Sequence, residues 1–104
     1  MTMVEKIKER LAPLRPYKII LFGSQAGGNA GEESDIDIYV ITRDDYIPRS
    51  WSEHKRIWLP YSKALRDLQK ERPIDLIVHT KAMAKRLFDS QSLFAKELQK
   101  GIEL

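Results

Sequence analysis

Asp35 and Asp37 lie two residues apart in Ser34-Asp35-Ile36-Asp37-Ile38. On a strand, successive side chains alternate between faces, so this spacing sends both carboxylates to one side, while Ile36, Ile38 and Val40 face the other, toward a core. Two carboxylates held close repel each other unless a proton or a cation sits between them. A hard divalent cation with oxygen ligands, most simply Mg²⁺, suits that place. Upstream, the apolar run Lys18-Ile19-Ile20-Leu21-Phe22 feeds into Gly23-Ser24 and a glycine-rich link that ends at Ser34. Downstream, Asp75 interrupts the apolar run Ile74-Asp75-Leu76-Ile77-Val78 with a single charge, a costly placement if it is buried alone. If that third strand lies beside the second, Asp75 stands next to Asp35 and Asp37, and three carboxylates share one site.

The elements that must hold these residues follow from apolar spacing. Val4, Ile7 and Leu11 recur at helical intervals over residues 3 to 12, and Pro13 and Pro16 close that helix. Residues 17 to 22 read as a buried strand, 23 to 34 as a loop with room for one short helical turn, and 35 to 41 as a second strand. The short link makes an antiparallel pair the expectation, because a parallel crossover needs more chain. Residues 43 to 50 are a polar connection, and Ser50 or Ser52 is placed to cap a helix. Ile57, Trp58, Tyr61, Leu65 and Leu68 form a helical stripe between Trp51 and Glu71, with a kink or a restart expected near Leu59 because Pro60 lies inside it. The third strand covers 74 to 78. Thr80 can cap a helix over 81 to 87, and a last amphipathic helix runs from about 91 to 100 and stops at Gly101. The order α-β-loop-β-α-β-α-α describes a single α/β domain over 1–104, a small mixed sheet with helices packed on it.

Composition narrows the class. Hydrophobic residues at 42% and charged residues at 32% mark a globular chain, large enough for one modest core. A net charge of +3 suits a polyanionic substrate, although an ordinary solvated surface explains it as well. The absence of cysteine excludes disulfides and thiolate metal sites. No apolar run reaches the roughly 20 residues that span a bilayer, and the charged N-terminus has no signal-peptide core, so a cytoplasmic protein is the expectation.

Gly23-Ser24, a glycine-rich link and then Ser34-Asp35-Ile36-Asp37-Ile38, with apolar strands on both sides, resembles the signature of the DNA polymerase beta-like nucleotidyltransferases. Within that superfamily the chain looks like the minimal nucleotidyltransferases, which are often paired with a helical HEPN partner in toxin–antitoxin modules. The resemblance implies a Mg²⁺-dependent transfer of AMP from ATP to a hydroxyl, here one on a partner protein, since no domain is left to hold an acceptor. It implies that Asp35 and Asp37 hold two metal ions, and that Asp75 holds the one nearest the nucleophile and helps deprotonate the attacking hydroxyl. It further implies that Gly23, Ser24 and Ser34 contact the triphosphate. A HEPN-type partner follows from it, self-association is left open, and neither a membrane nor nucleic acid is expected. Family members commonly read Gly-Ser-x-Ala-Arg-Gly, whereas Gly27 stands here in the arginine position. That departure motivates the alternative, a catalytically degenerate module that neutralises or scaffolds its partner by contact alone.

The other polar residues point elsewhere. His54 and His79 lack metal-ligand spacing and read as surface or strand-end residues. Trp51, Trp58 and Tyr61 could form a stacking platform, but packing in a core or interface explains them more simply. Lys81, Lys85, Arg86, Lys96 and Lys100 read as a solvated helix face, with nucleic-acid binding through the basic C-terminal helices as a distant third function.

Overall fold

The structure, a computed structural model, describes residues 1–27 and 35–104. Ser34 and most of the glycine-rich link therefore lie outside the described residues. A capping box at Thr2 and Glu5 opens α1 (Met3–Leu11), in which the Thr2 hydroxyl accepts from the Glu5 N–H and the Glu5 carboxylate accepts from the Thr2 N–H. A short 3₁₀ turn over Ala12–Leu14 absorbs Pro13. Then follow β1 (Lys18–Phe22), a single turn α2 (Ser24–Gly27), and β2 (Ile36–Ile41). The chain continues through α3 (Trp51–Ala64), α4 (Arg66–Glu71), β3 (Ile74–His79), α5 (Lys81–Asp89), α6 (Leu93–Gln99) and β4 (Ile102–Glu103).

The four strands form one mixed sheet in the order β3-β2-β1-β4. β1 and β2 pair antiparallel, as the short link between them requires, with Phe22 opposite Asp37. β2 and β3 pair parallel, because α3 and α4 supply the crossover, with Asp37 beside Asp75. This topology positions the site: β2 and β3 begin, and β1 ends, at one and the same end of the sheet.

Both faces of the sheet are covered. On one side Ile19, Leu21, Ile36, Ile38 and Val40 pack against Ile7, Leu11, Ile57, Tyr61, Leu65 and Leu68 from α1, α3, α4 and the residue between the last two. On the other, Ile20, Phe22, Tyr39 and Ile41 pack against Ala84 of α5 and Leu98 of α6, with Phe88 and Phe94 alongside. Ile36, Ile38 and Val40 do face a core, but the carboxylate-bearing face buries Tyr39 and Ile41 just as deeply further along the strand. Each such aliphatic side chain contributes about 1.5–3 kcal/mol of burial. β2 is therefore the most strongly held strand and anchors Asp37.

Several boundaries differ from the sequence reading by a residue or two, and three differences concern whole elements. Pro60 causes no break near Leu59: α3 runs through it, and the interruption falls at Leu65, where φ is −102° and ψ is 3°. Pro60 and Arg56 are both exposed, so the carbonyl that loses its helical N–H partner faces water, and the ring has already fixed a helical φ. The last helix starts at Leu93 rather than 91, because Ser92 caps it by accepting from the Ala95 N–H, and Gln91 turns into the left-handed region at φ 53°. β4 had no sequence signal, being two residues long. It pairs antiparallel with Ile20 and Leu21 of β1, and the Leu104 N–H donates to the Ile19 carbonyl at 2.8 Å. Gly101 permits that return: a Cβ there would sit 2.6 Å from the Leu21 carbonyl oxygen. Among the described residues, no helix is long and apolar enough to cross a membrane.

Candidate active site

Register fixes the central pair. Phe22, Asp37 and Asp75 are consecutive cross-strand neighbours on β1, β2 and β3, so their side chains share one face in a row. Phe22 is buried against Phe94 of α6, with ring centroids 5.6 Å apart. Asp37 is half-buried, and Asp75, on the edge strand, is exposed. One turn along α6 from Phe94, Glu97 brings a third carboxylate close enough for Asp37 to feel its charge.

The electrostatics of Asp37 follow from those neighbours. Burial, a hydrogen bond with Asp75, and then the charges of Asp75, Glu97 and Asp35 all push its pKa up, to about 6. Each of these influences disfavours a second negative charge, and a cation placed among the oxygens reverses all the Coulombic ones together. The donor set is hard carboxylate oxygen, which fits Mg²⁺ or a similar divalent ion.

Asp35 is placed differently from its two partners. It precedes β2, outside the strand register, and is exposed, so no neighbouring strand fixes its side chain. Among the described residues, no three His, Asp or Glu side chains converge as a ready-made metal site. The structure joins Asp37 to Asp75, while Asp35 adds charge at the margin.

Gly23 closes the other side of the site. It adopts φ 74°, in the left-handed region that costs other residues energy, and it turns the chain out of β1 into α2. A Cβ at this position would overlap the Asp37 carboxylate itself. Glycine is thus needed twice, for the turn and for the approach of backbone to carboxylate. Ser24 follows as the first residue of α2 and is exposed beside the acidic row. Gly27 ends that turn.

Glu97 escaped sequence reasoning, since a glutamate on an amphipathic helix carries no signal until the register of α6 against Phe22 is known. The histidines also gain partners. His79 is half-buried at the end of β3, with Nδ1 2.7 Å from the Tyr39 hydroxyl, and His54 Nε2 donates to the Val78 carbonyl at 2.8 Å. Burial, and then the charge of His54, depress the His79 pKa to about 4, and burial raises that of Tyr39. Tyr61 is a core residue rather than a stacking surface. Lys85, Arg86, Lys96 and Lys100 are exposed and Lys81 partly so, with Lys85 paired to Asp89, as a solvated helix face requires.

These shifts give stability two opposed pH responses. His79, neutral in the fold, favours the native state above pH 6.5, and that contribution is lost as pH falls from 6.5 through about 4, because the unfolded chain takes up the proton first. Asp37 has the opposite sign: its raised pKa favours the fold at low pH, a contribution lost as pH rises from 3.8 through about 6. Urea unfolding of the metal-free chain between pH 7 and 4 should therefore show a shallow dependence. The Asp37→Asn variant should show a steeper loss on acidification, from the remaining histidine. Parallel curves for the two proteins would contradict the assignment.

No characterised protein and no solved structure matches the chain. The family model described as Polymerase beta, Nucleotidyltransferase matches residues 5–98, a span that holds Gly23, Ser24, Asp35, Asp37, Asp75 and every strand that carries them. By that match the chain belongs to the polymerase beta nucleotidyltransferase family.

Proposed function

We propose that the chain is a Mg²⁺-dependent enzyme that transfers AMP from ATP to a hydroxyl of a partner protein, acting in the cytoplasm. The observation that carries this reading is the meeting of Asp37, Asp75 and Gly23 at the one end of the sheet where β1 stops and β2 and β3 start. A nucleotidyltransferase domain implies a nucleotide substrate. The backbone at Gly23, bare of side chain, and the exposed Ser24 hydroxyl are the groups on this chain that approach its β- and γ-phosphates. Ser34, preceding Asp35, is a third contact in this reading.

Divalent metal, when bound by Asp35, Asp37 and Asp75, supplies neutralisation of the phosphate charge and activation of the attacking oxygen. The chain's own residues do the rest. Asp75, exposed at the sheet edge, is open to an incoming acceptor and takes the proton of its hydroxyl. The oxygen attacks the α-phosphorus, a new P–O bond forms, the bond to the β-phosphate oxygen breaks, and pyrophosphate leaves with that electron pair. Asp37, half-buried between Phe22 and Asp75, holds its carboxylate fixed through the reaction.

The acceptor in this reading belongs to a helical HEPN-type partner, whose modification silences it. Incubation of chain and partner with ATP labelled at either the α- or the γ-phosphate should label the partner only from the α-position, and only with Mg²⁺ present. Transfer of the γ-label, or of none, would contradict the reading. Gly27 in place of arginine favours a second reading, a module that binds and inhibits its partner without modifying it. That reading predicts full inhibition with the partner's mass unchanged.

A further inference from the structure

β3 lies at the edge of the sheet. In a parallel ladder, alternate residues turn their N–H and C=O to the same side. The carbonyls of Pro73 and His79 accept from Ile36 and Thr42 on the β2 side, so Ile74, Leu76 and Val78 turn theirs outward. At the two ends those outward groups are taken up within the chain: the Ile74 N–H donates to Gln69 Oε1 at 3.2 Å, and His54 donates to the Val78 carbonyl. Between them Leu76 presents both a donor and an acceptor to a groove of about 350 Å³.

The far wall of that groove is one stripe of α3. Trp51, His54, Lys55 and Trp58 stand at i, i+3, i+4 and i+7, facing Leu76, Ile77 and Val78. Trp51 is 74% exposed, unusual for so large an apolar side chain, and the Lys55 amine lies 5.0 Å from its ring centroid. Open sheet edges are normally blunted by charge, proline or a bulge, because they recruit other strands. Along Leu76, Ile77 and Val78 this edge carries none of these.

We infer that this edge is where the acceptor docks, as an extended polypeptide segment added to β3. The inference rests on the transferase reading above and names the substrate class for it. A polypeptide fits because its backbone offers a donor and an acceptor at two-residue intervals, matching Leu76 and its neighbours, whereas a nucleic-acid backbone is almost wholly acceptor. Alternation then fixes side-chain placement. Asp75 shares the face of Asp37, and Leu76 packs toward the opposite face, the one α3 covers. A hydroxyl-bearing residue on the added strand thus lies beside Asp75, while residues one and three positions away enter the Trp51–Trp58 groove. Apolar side chains suit the tryptophans, and an acidic one complements Lys55.

The test uses the native full chain, without nucleotide and in EDTA, against a synthetic library of peptides about ten residues long whose central residue is serine, threonine or tyrosine. Retained peptides should be apolar one residue from that central hydroxyl residue and enriched in Asp or Glu three residues away. Binding should shift the fluorescence of the chain's two tryptophans, both of which line the groove. It should also slow amide exchange at Leu76 and Val78. Trp51→Ala, an exposed position where folding is not at risk, should weaken binding about tenfold, as truncation of an interface tryptophan does, and Lys55→Glu should remove the acidic preference. No retained peptide, enrichment without the odd-offset pattern, or affinity indifferent to both substitutions would overturn the inference. So would a chain that dimerises through this edge, or a groove that retains single-stranded RNA instead. Because docking is read without metal or nucleotide, failure of ATP to bind removes the transferase reading alone, and failure of the peptides to bind removes the docking site alone.

Discussion

Replacing Asp37 by asparagine is expected to abolish nucleotidyl transfer and, in the same protein, to raise the stability of the metal-free chain. In the proposed transferase reading Asp37 positions metal and phosphate, and its loss should lower the rate on the order of 10³-fold, comparable with removing a principal electrostatic stabiliser from an active site. The gain in stability comes from the same charge. With its pKa pushed up to about 6, Asp37 is ionised at pH 7.5 against the opposition of burial and of Asp75, Glu97 and Asp35. An amide of the same shape removes that repulsion and keeps a hydrogen bond to Asp75. After discounting for the solvent that still reaches this group, the relief is about 1 kcal/mol, or a Tm higher by about 4–8 °C in EDTA. Added Mg²⁺ should stabilise the native chain and leave the variant unmoved. A variant that melts lower than the native chain in EDTA would show that the carboxylate is held by favourable contacts and not by strain.

Gly23→Ala is expected to damage stability and activity together. The left-handed φ of 74° costs an L-residue about 1–2 kcal/mol. The added methyl must also displace the Asp37 carboxylate, an overpacking penalty of about 1–3 kcal/mol. Together, at about 2–5 kcal/mol, these predict a Tm lower by roughly 8–40 °C. The second effect distinguishes this glycine from an ordinary turn glycine: the displaced carboxylate takes activity with it even in the fraction that stays folded. Adenylyl transfer measured well below the melting transition should therefore fall on the order of 10²-fold. Near-native transfer by a merely destabilised variant would mean that the contact between Gly23 and Asp37 is incidental.

Much of this arrangement was legible in the sequence because local pattern and topology agree. The two-residue spacing of Asp35 and Asp37 within alternating isoleucines predicted a strand with its carboxylates on one face, and Asp37 lies there. The single charge in Ile74–Val78 was informative because an apolar strand rarely carries one without a partner, and the parallel register puts Asp75 beside Asp37. What the sequence did not disclose depends on packing. Asp35 falls outside the strand because pairing starts one residue later, at Ile36 opposite Ile74. Glu97 joins the site only through the docking of Phe94 on Phe22. Pro60 does not break α3 at Leu59 because the carbonyl it frees faces water, and the interruption falls instead at Leu65. β4 is too short for any periodicity, and only the close approach of Gly101 to Leu21 explains why the chain can return to the sheet. The open edge of β3 is invisible until strand order is known, since Trp51 and Trp58 read equally well as core.

The central claim is that the acidic end of the sheet is a working metal–triphosphate site. It is tested most directly by calorimetric titration of ATP into the native chain, once with Mg²⁺ and once with EDTA, and again with the Asp35→Asn/Asp37→Asn variant. Saturable binding that requires Mg²⁺ and disappears in the variant is the predicted result. Absence of binding by the native chain with Mg²⁺, or binding that persists in EDTA and in the variant alike, would contradict it.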